Sequence, residues 1–112
     1  MNAFIVAVSL MASTPSPSPA VVSPQLLVGE WRSENYGGTY HFRANGTYYW
    51  HAWDMGDEGR WRLRGGNTIE LLSGDARGKT TREVILIDRV VHETLYVRTK
   101  YQKEVWLKQP GP

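Results

Sequence analysis

The sequence predicts an all-β fold, a small up-and-down antiparallel barrel of about eight strands. Two observations carry this. From Leu26 onward apolar residues recur with period two rather than 3.6, and turn-forming residues interrupt them roughly every eight to twelve positions. A third comes from register: in three separate hairpins the loop length places apolar side chains opposite apolar ones. No helix of useful length is predicted.

Taken in order, strands are predicted over residues 28–33, 39–43, 47–53, 59–64, 68–72, 81–88, 93–99 and 103–108. Asn45-Gly46 is a strong turn signal. A three-residue loop with Gly46 in the left-handed region pairs Phe42 with Tyr48 and Tyr40 with Trp50. The same loop length at Gly65-Gly66-Asn67 pairs Leu63 with Ile69 and Trp61 with Leu71, and sets Arg62 opposite Glu70. At Lys100-Tyr101-Gln102 it pairs Val97 with Val105 and Leu95 with Leu107, leaving Tyr96 and Trp106 together outside and Arg98 opposite Glu104.

A one-residue slip reverses every side chain of a strand, so the three hairpins jointly define one buried face. Its members are Trp31, Tyr40, Phe42, Tyr48, Trp50, Trp61, Leu63, Ile69, Leu71, Leu95, Val97, Val105 and Leu107. Residues 84–87 are continuously apolar, and Ile85 and Ile87 are assigned inward. Closure follows from the edges. An open sheet would leave two unpaired strands with no helix to cover them, whereas pairing the last strand with the first removes both.

The chain has 112 residues, room for one domain. A folded part of roughly 80 to 85 residues buries only about 60 to 65% of its unfolded surface, so bulky side chains carry much of the stabilisation. Five Trp and six Tyr fit that need. The absence of cysteine removes disulfides, thiolate metal sites, cysteine nucleophiles and a lipid-modified cysteine. A net charge of +2, with acidic residues interspersed among the basic ones, argues against nucleic acid.

The N-terminal segment reads as an address. Ala3 to Ala12 is apolar, a Ser/Pro-rich stretch follows to Ala20, and no charged side chain precedes Glu30. The apolar run is too short to span a bilayer and has the length of a signal-peptide core, although no Lys or Arg stands before it. Residues 1–25 are therefore read as signal peptide and leader, 26–108 as the barrel and 109–112 as a tail. The expected product is secreted or periplasmic, monomeric and free of the membrane once the signal is removed.

Leu27-Val28-Gly29-Glu30-Trp31 resembles the Gly-x-Trp opening strand of lipocalins. Phe42-Arg43-Ala44-Asn45-Gly46-Thr47-Tyr48, followed by Gly59-Arg60-Trp61, resembles the short bacterial lipocalin-like domains. The resemblance implies barrel architecture and, by analogy with the larger lipocalins, a small apolar or amphipathic ligand. The chain is shorter than those proteins and lacks their C-terminal helix. A looser likeness to small secreted barrels that inhibit bacterial proteases implies a second function, in which the Ser/Pro stretch enters an enzyme's cleft.

An eight-stranded barrel has interior enough to be filled by its own side chains or to hold one small ligand. Tyr40, Trp50 and Ala52 lie progressively farther from the Asn45-Gly46 turn. Tyr40, Trp50 and Trp61 are the expected ligand contacts, and Trp31 is read as a structural plug. Outward His41, Tyr49, His51 and Trp53, with Tyr96 and Trp106, form a candidate protein-partner surface, or merely stabilising cross-strand pairs. An accessory structural barrel with no ligand is the third reading.

No cofactor, metal or catalytic residue is assigned. His41 and His51 are diagonal neighbours, but two imidazoles fall short of the usual ligand number. The residues 54–59 loop lacks calcium-loop spacing and is expected to be a solvated turn. Ser33 and Ser73 have no His and acid in line with them, and the acidic residues are expected on outward faces and loops.

Overall fold

The computed structural model describes residues 22–74 and 77–111, and every statement below concerns those. A single helical turn, α1 (Pro24–Leu27), precedes eight strands: β1 (Gly29–Ser33), β2 (Thr39–Phe42), β3 (Thr47–Ala52), β4 (Met55–Arg64), β5 (Thr68–Gly74), β6 (Thr80–Val91), β7 (Thr94–Arg98) and β8 (Lys103–Lys108). Each strand pairs antiparallel with the next, and β8 pairs with β1 to close the barrel. The expected all-β up-and-down architecture is what forms. Among the described residues no helix is long and apolar enough to cross a membrane.

Two of the three hairpin registers stand as read. Phe42 faces Tyr48 and Tyr40 faces Trp50; Leu63 faces Ile69, Trp61 faces Leu71 and Arg62 faces Glu70. Gly46 is left-handed at φ 87°, and the Asn45 side chain accepts the Thr47 amide at 3.0 Å. The second Gly-x-Trp has a packing reason. A Cβ on Gly59 would lie 2.0 Å from the Leu72 carbonyl oxygen, so only glycine lets β4 and β5 approach there.

The third register is displaced by one residue. Leu95 faces Trp106, Val97 faces Glu104 and Tyr96 faces Val105. The cause is the loop. The Thr99 amide donates to Gln102 at 2.9 Å, carrying the ladder one pair further and leaving only Lys100 and Tyr101 to make the turn. The Thr99 hydroxyl accepts the Tyr101 and Gln102 amides at 3.1 and 3.2 Å. Inward and outward positions of β8 therefore exchange. Trp106 is fully buried and Glu104 is buried with it, whereas Val105 and Leu107, expected inside, are only half-buried. Residues 105–107 are all apolar, so alternation alone could not choose between the two phases.

Two further departures lengthen strands. Ala52 pairs with Met55 across a two-residue turn whose Trp53 is left-handed at φ 54°. Residues 55–59 consequently belong to β4, not to a solvated rim loop. In β6 a bulge at Asp88 separates the Ile87–Val97 and Arg89–Tyr96 pairs, letting the strand run on to Val91.

One end of the barrel is closed. Val22 donates its amide to Gly66 O at 2.8 Å, and the chain then turns through α1, bringing Val22 and Leu27 into the core. Trp31 Nε1 donates to Leu27 O at 2.9 Å, and Lys108 Nζ donates to Leu26 O and Val28 O at 3.2 and 3.0 Å. Trp31 thus is part of a plug, as read from the sequence. Gly29, at φ 134°, takes the chain from plug into β1. Phe42, Ile69, Ile85, Ile87, Leu95 and Val97 fill the space above it.

Candidate binding site at the open mouth of the barrel

The opposite end holds a cavity of about 450 Å³. Four elements supply its aromatic walls. Tyr36 comes from the loop between β1 and β2, Tyr40 from β2, Tyr48 and Trp50 from β3, and Tyr101 from the turn before β8, with Trp53 and Met55 at the rim. Alternation aims Tyr40, Tyr48 and Trp50 inward; Tyr40 and Trp50 lie toward this end by their distance from the Asn45-Gly46 turn, whereas Tyr48, beside that turn, reaches the cavity with its hydroxyl on Asp57.

Tyr36 is fixed from two sides. Its hydroxyl accepts Trp50 Nε1 at 3.0 Å, and its ring lies 6.2 Å from that of Trp53. The loop that carries it is tied to β8, since Asn35 Oδ1 accepts the Val105 amide at 3.0 Å and the Glu34 amide donates to Val105 O at 2.8 Å. Tyr40 packs 6.3 Å from Trp50 and stacks 4.5 Å from Trp106, which lies behind the cavity wall. Burial raises the Tyr40 phenol well above its ordinary pKa and that of Tyr48 to about 12, so both are neutral at physiological pH. Trp53 and Tyr101 remain 77% and 78% exposed at the rim, where they can meet an entering molecule.

Of the three expected contact residues, Tyr40 and Trp50 line the cavity and Trp61 does not. Trp61 lies nearer the plugged end, 5.1 Å from Phe42, with Nε1 donating to Arg43 O at 2.9 Å. The interior is thus neither wholly filled nor wholly open: the plugged half is packed and the other half is hollow.

The acidic residues correct the expectation that they all face outward. Asp57 of β4, Glu83 of β6 and Glu104 of β8 all line the cavity. Asp57 Oδ2 accepts the Tyr48 hydroxyl at 3.3 Å, and its Oδ1 accepts the Glu58 amide at 3.0 Å. Glu104 accepts Trp106 Nε1 at 2.9 Å and Gln102 Nε2 at 3.3 Å. Glu83 has no side-chain hydrogen-bond partner among the described residues. Burial raises its pKa, Lys100 partly offsets that, and Asp57 and Glu104 add to it. Glu83 was findable from alternation, having the parity of Ile85 and Ile87. Asp57 and Glu104 depend on two turn lengths that no glycine or proline announces, and Tyr36 sits in a loop, just before Gly37-Gly38, with no period to place it.

The outer surface carries the other features picked out in the sequence. His41, Tyr49 and His51 cluster with ring centroids 5.3 to 5.4 Å apart. Burial lowers the His41 pKa, although Glu30 lies 3.5 Å from its Nδ1. Among the described residues no group of three or more potential ligands is placed to hold a metal ion. Trp106, expected beside Tyr96 on this surface, is instead in the core; Tyr96 packs under Arg89, whose guanidinium carbon is 4.1 Å from the ring centre. Glu70 gathers Arg82, Arg62 and Arg64 around one carboxylate, with Arg64 Nη1 at 3.0 Å. The hydrogen bonds from Arg82, then those from Arg62 and Arg64, hold its pKa down at about 2. That ion cluster ties β4, β5 and β6 together and offsets part of the positive charge of Arg62, Arg64 and Arg82.

Comparison with protein-family models, with curated proteins and with solved structures finds no match for this chain. The functional reading therefore rests on the geometry of the barrel itself.

Proposed function

We propose that this protein is an exported, non-catalytic, lipocalin-like barrel that binds one small amphipathic molecule in its open mouth. The observation that carries the reading is the hollow half-barrel: a cavity of about 450 Å³ walled by Tyr36, Tyr40, Tyr48 and Trp50. Its size falls within the roughly 300–1,000 Å³ of small-molecule sites, which are also mostly apolar with a few placed polar groups. The closed end favours a binding cup over a channel. The apolar run and Ser/Pro stretch before Val22 support export; they lie outside the described residues.

The test is calorimetric titration with neutral, cationic and anionic aromatic probes of similar size. The reading expects one-to-one binding by at least one class, weakened by Trp50→Ala. Failure of every class to bind would reject it. The exposed Trp53, Met55 and Tyr101 around the mouth favour a second reading, a rim that docks a protein partner. That reading expects association lost on Trp53→Ala and Tyr101→Ala with no small-molecule binding.

A further inference from the structure

Inward positions of a small barrel are normally apolar, because a carboxylate taken out of water without compensation is costly. Here three strands spaced around the barrel each turn one toward the mouth cavity, Glu104 buried, Glu83 half-buried and Asp57 exposed at the opening. Asp57 lies opposite Trp50, Glu83 opposite Leu71 and Glu104 opposite Val97. Overall composition does not explain this, since Lys and Arg outnumber Asp and Glu by 13 to 11. Among the described residues no Lys, Arg or His lines the cavity. Lys100 partly offsets the charge environment of Glu83, but it does not line the cavity, and its ammonium lies 5.1 Å from the centre of the Tyr101 ring.

The carboxylates do not pair off with the walls to equal degree. Asp57 and Glu104 are held by donors from Tyr48, Trp106 and Gln102. Glu83 is left without such a donor and stands across from the aromatic side of the cavity. Aromatic faces carry the negative end of the ring quadrupole, so any face that Tyr36, Trp50, Trp53 or Tyr101 offers a ligand has the same electrostatic sign as the acids. An anion entering the mouth meets Asp57, Glu83 and Glu104 with no cationic side chain among the described lining residues to offset them. A neutral apolar molecule gains the rings and leaves the acids desolvated. A cation with an apolar body gains both.

We propose that the mouth cavity takes a small organic cation, an amine or quaternary ammonium with an apolar body, whose charge sits among Glu83, Asp57 and Glu104 while its body packs on Tyr40 and Trp50. The inference rests on the mouth being a small-molecule site and adds the ligand's chemical class. Glu83 is the principal counter-charge, because its carboxylate is not already committed to a donor within the protein.

Phenethyltrimethylammonium, its neutral tert-butyl isostere and 3-phenylpropionate separate the possibilities by isothermal titration calorimetry on the full chain at pH 7.5. The cation is expected to bind about tenfold or more tighter than the neutral isostere, the anion weakest of the three, with the preference shrinking in high salt. Glu83→Gln is expected to cut the cation's affinity about three- to tenfold and to leave the neutral isostere's unchanged or improved. Glu83 supports no other side chain, so this variant is expected to fold; Asp57→Asn provides the same readout should it not. A neutral isostere that binds as tightly as the cation, or a cation indifferent to both substitutions, would overturn the cationic assignment while leaving the cup intact. No binding by any of the three would overturn the cup and the assignment together.

Discussion

At the plugged end, Leu27 is wholly buried and Trp31 nearly so, and the Trp31 indole has its donor spent on Leu27 O. At the mouth, Trp53 and Tyr101 are more than three-quarters exposed and Glu83 has no donor. The same eight strands run through both ends. What differs is how the side chains end: below, buried apolar groups and an indole whose donor is matched; above, exposed rings at the rim and a carboxylate, Glu83, with no side-chain donor among the described residues. A small barrel needs one packed half to be stable, and that frees the other half from packing. The contrast is the physical basis for calling the mouth a site, and it can be broken by substitution at each level.

The largest effect is expected at Trp106, which stacks on Tyr40 at 4.5 Å between the two regions. Trp106→Ala should cost about 3–5 kcal/mol in urea denaturation. Val105→Ala, on the opposite face of β8, should cost under about 1.5 kcal/mol, since less apolar surface is lost there. The reverse order would restore the three-residue loop and turn β8 over. Next comes the plug. Leu27→Ala should cost about 2–4 kcal/mol. The affinity of a mouth ligand should not change in that variant as long as the protein is folded. An unchanged stability would mean that the plug is not part of the cooperative core.

How much of this could be read from the sequence depended on whether turn length was legible. Asn45-Gly46 and Gly65-Gly66-Asn67 advertise their conformations through glycine, and the strands on either side came out in register. Lys100-Tyr101 contains neither glycine nor proline, and its two-residue turn is set by the Thr99 hydroxyl. That one-residue difference moved Trp106 and Glu104 from outside to inside. The Trp53-Asp54 turn hid in the same way, because a left-handed Trp is not a residue that pattern reading expects there. The closed barrel and most of its core were therefore legible. The acidic character of the mouth was not, since two of its three carboxylates depend on those turns.

A smaller, pH-gated effect separates the outer wall from the mouth. The folded-state pKa of Glu70 is held at about 2, below its ordinary 4.5. Its contribution to stability is therefore complete above the unfolded carboxylate's pKa and is lost as pH falls toward 2. Glu83 has the opposite sign: its folded pKa is raised, so ionisation costs stability at neutral pH, and that cost is relieved on acidification through the raised pKa. Urea midpoints from pH 7 to pH 2.5 should show Glu70→Gln less stable than wild type at neutral pH, with the gap closing in acid. Glu83→Gln should be at least as stable as wild type at neutral pH, with its advantage disappearing in acid. Matching pH profiles for the two variants would mean that the two carboxylates do not occupy different environments.

The smallest expected stability change is at the rim, and there it matters most for function. Trp53 is 77% exposed and its ring contact is to Tyr36 at 6.2 Å, so Trp53→Ala removes little buried surface. Its stability should stay within about 0.5 kcal/mol of wild type. The same ring stands at the mouth, where losing one aromatic face from a cation's surroundings should weaken binding about two- to fivefold. Calorimetry and urea denaturation on this single variant read the two quantities independently. Lost stability with unchanged affinity would make Trp53 a packing residue of the turn; the expected reverse would place it in the binding surface, where the open half of the barrel uses side chains that the closed half does not need.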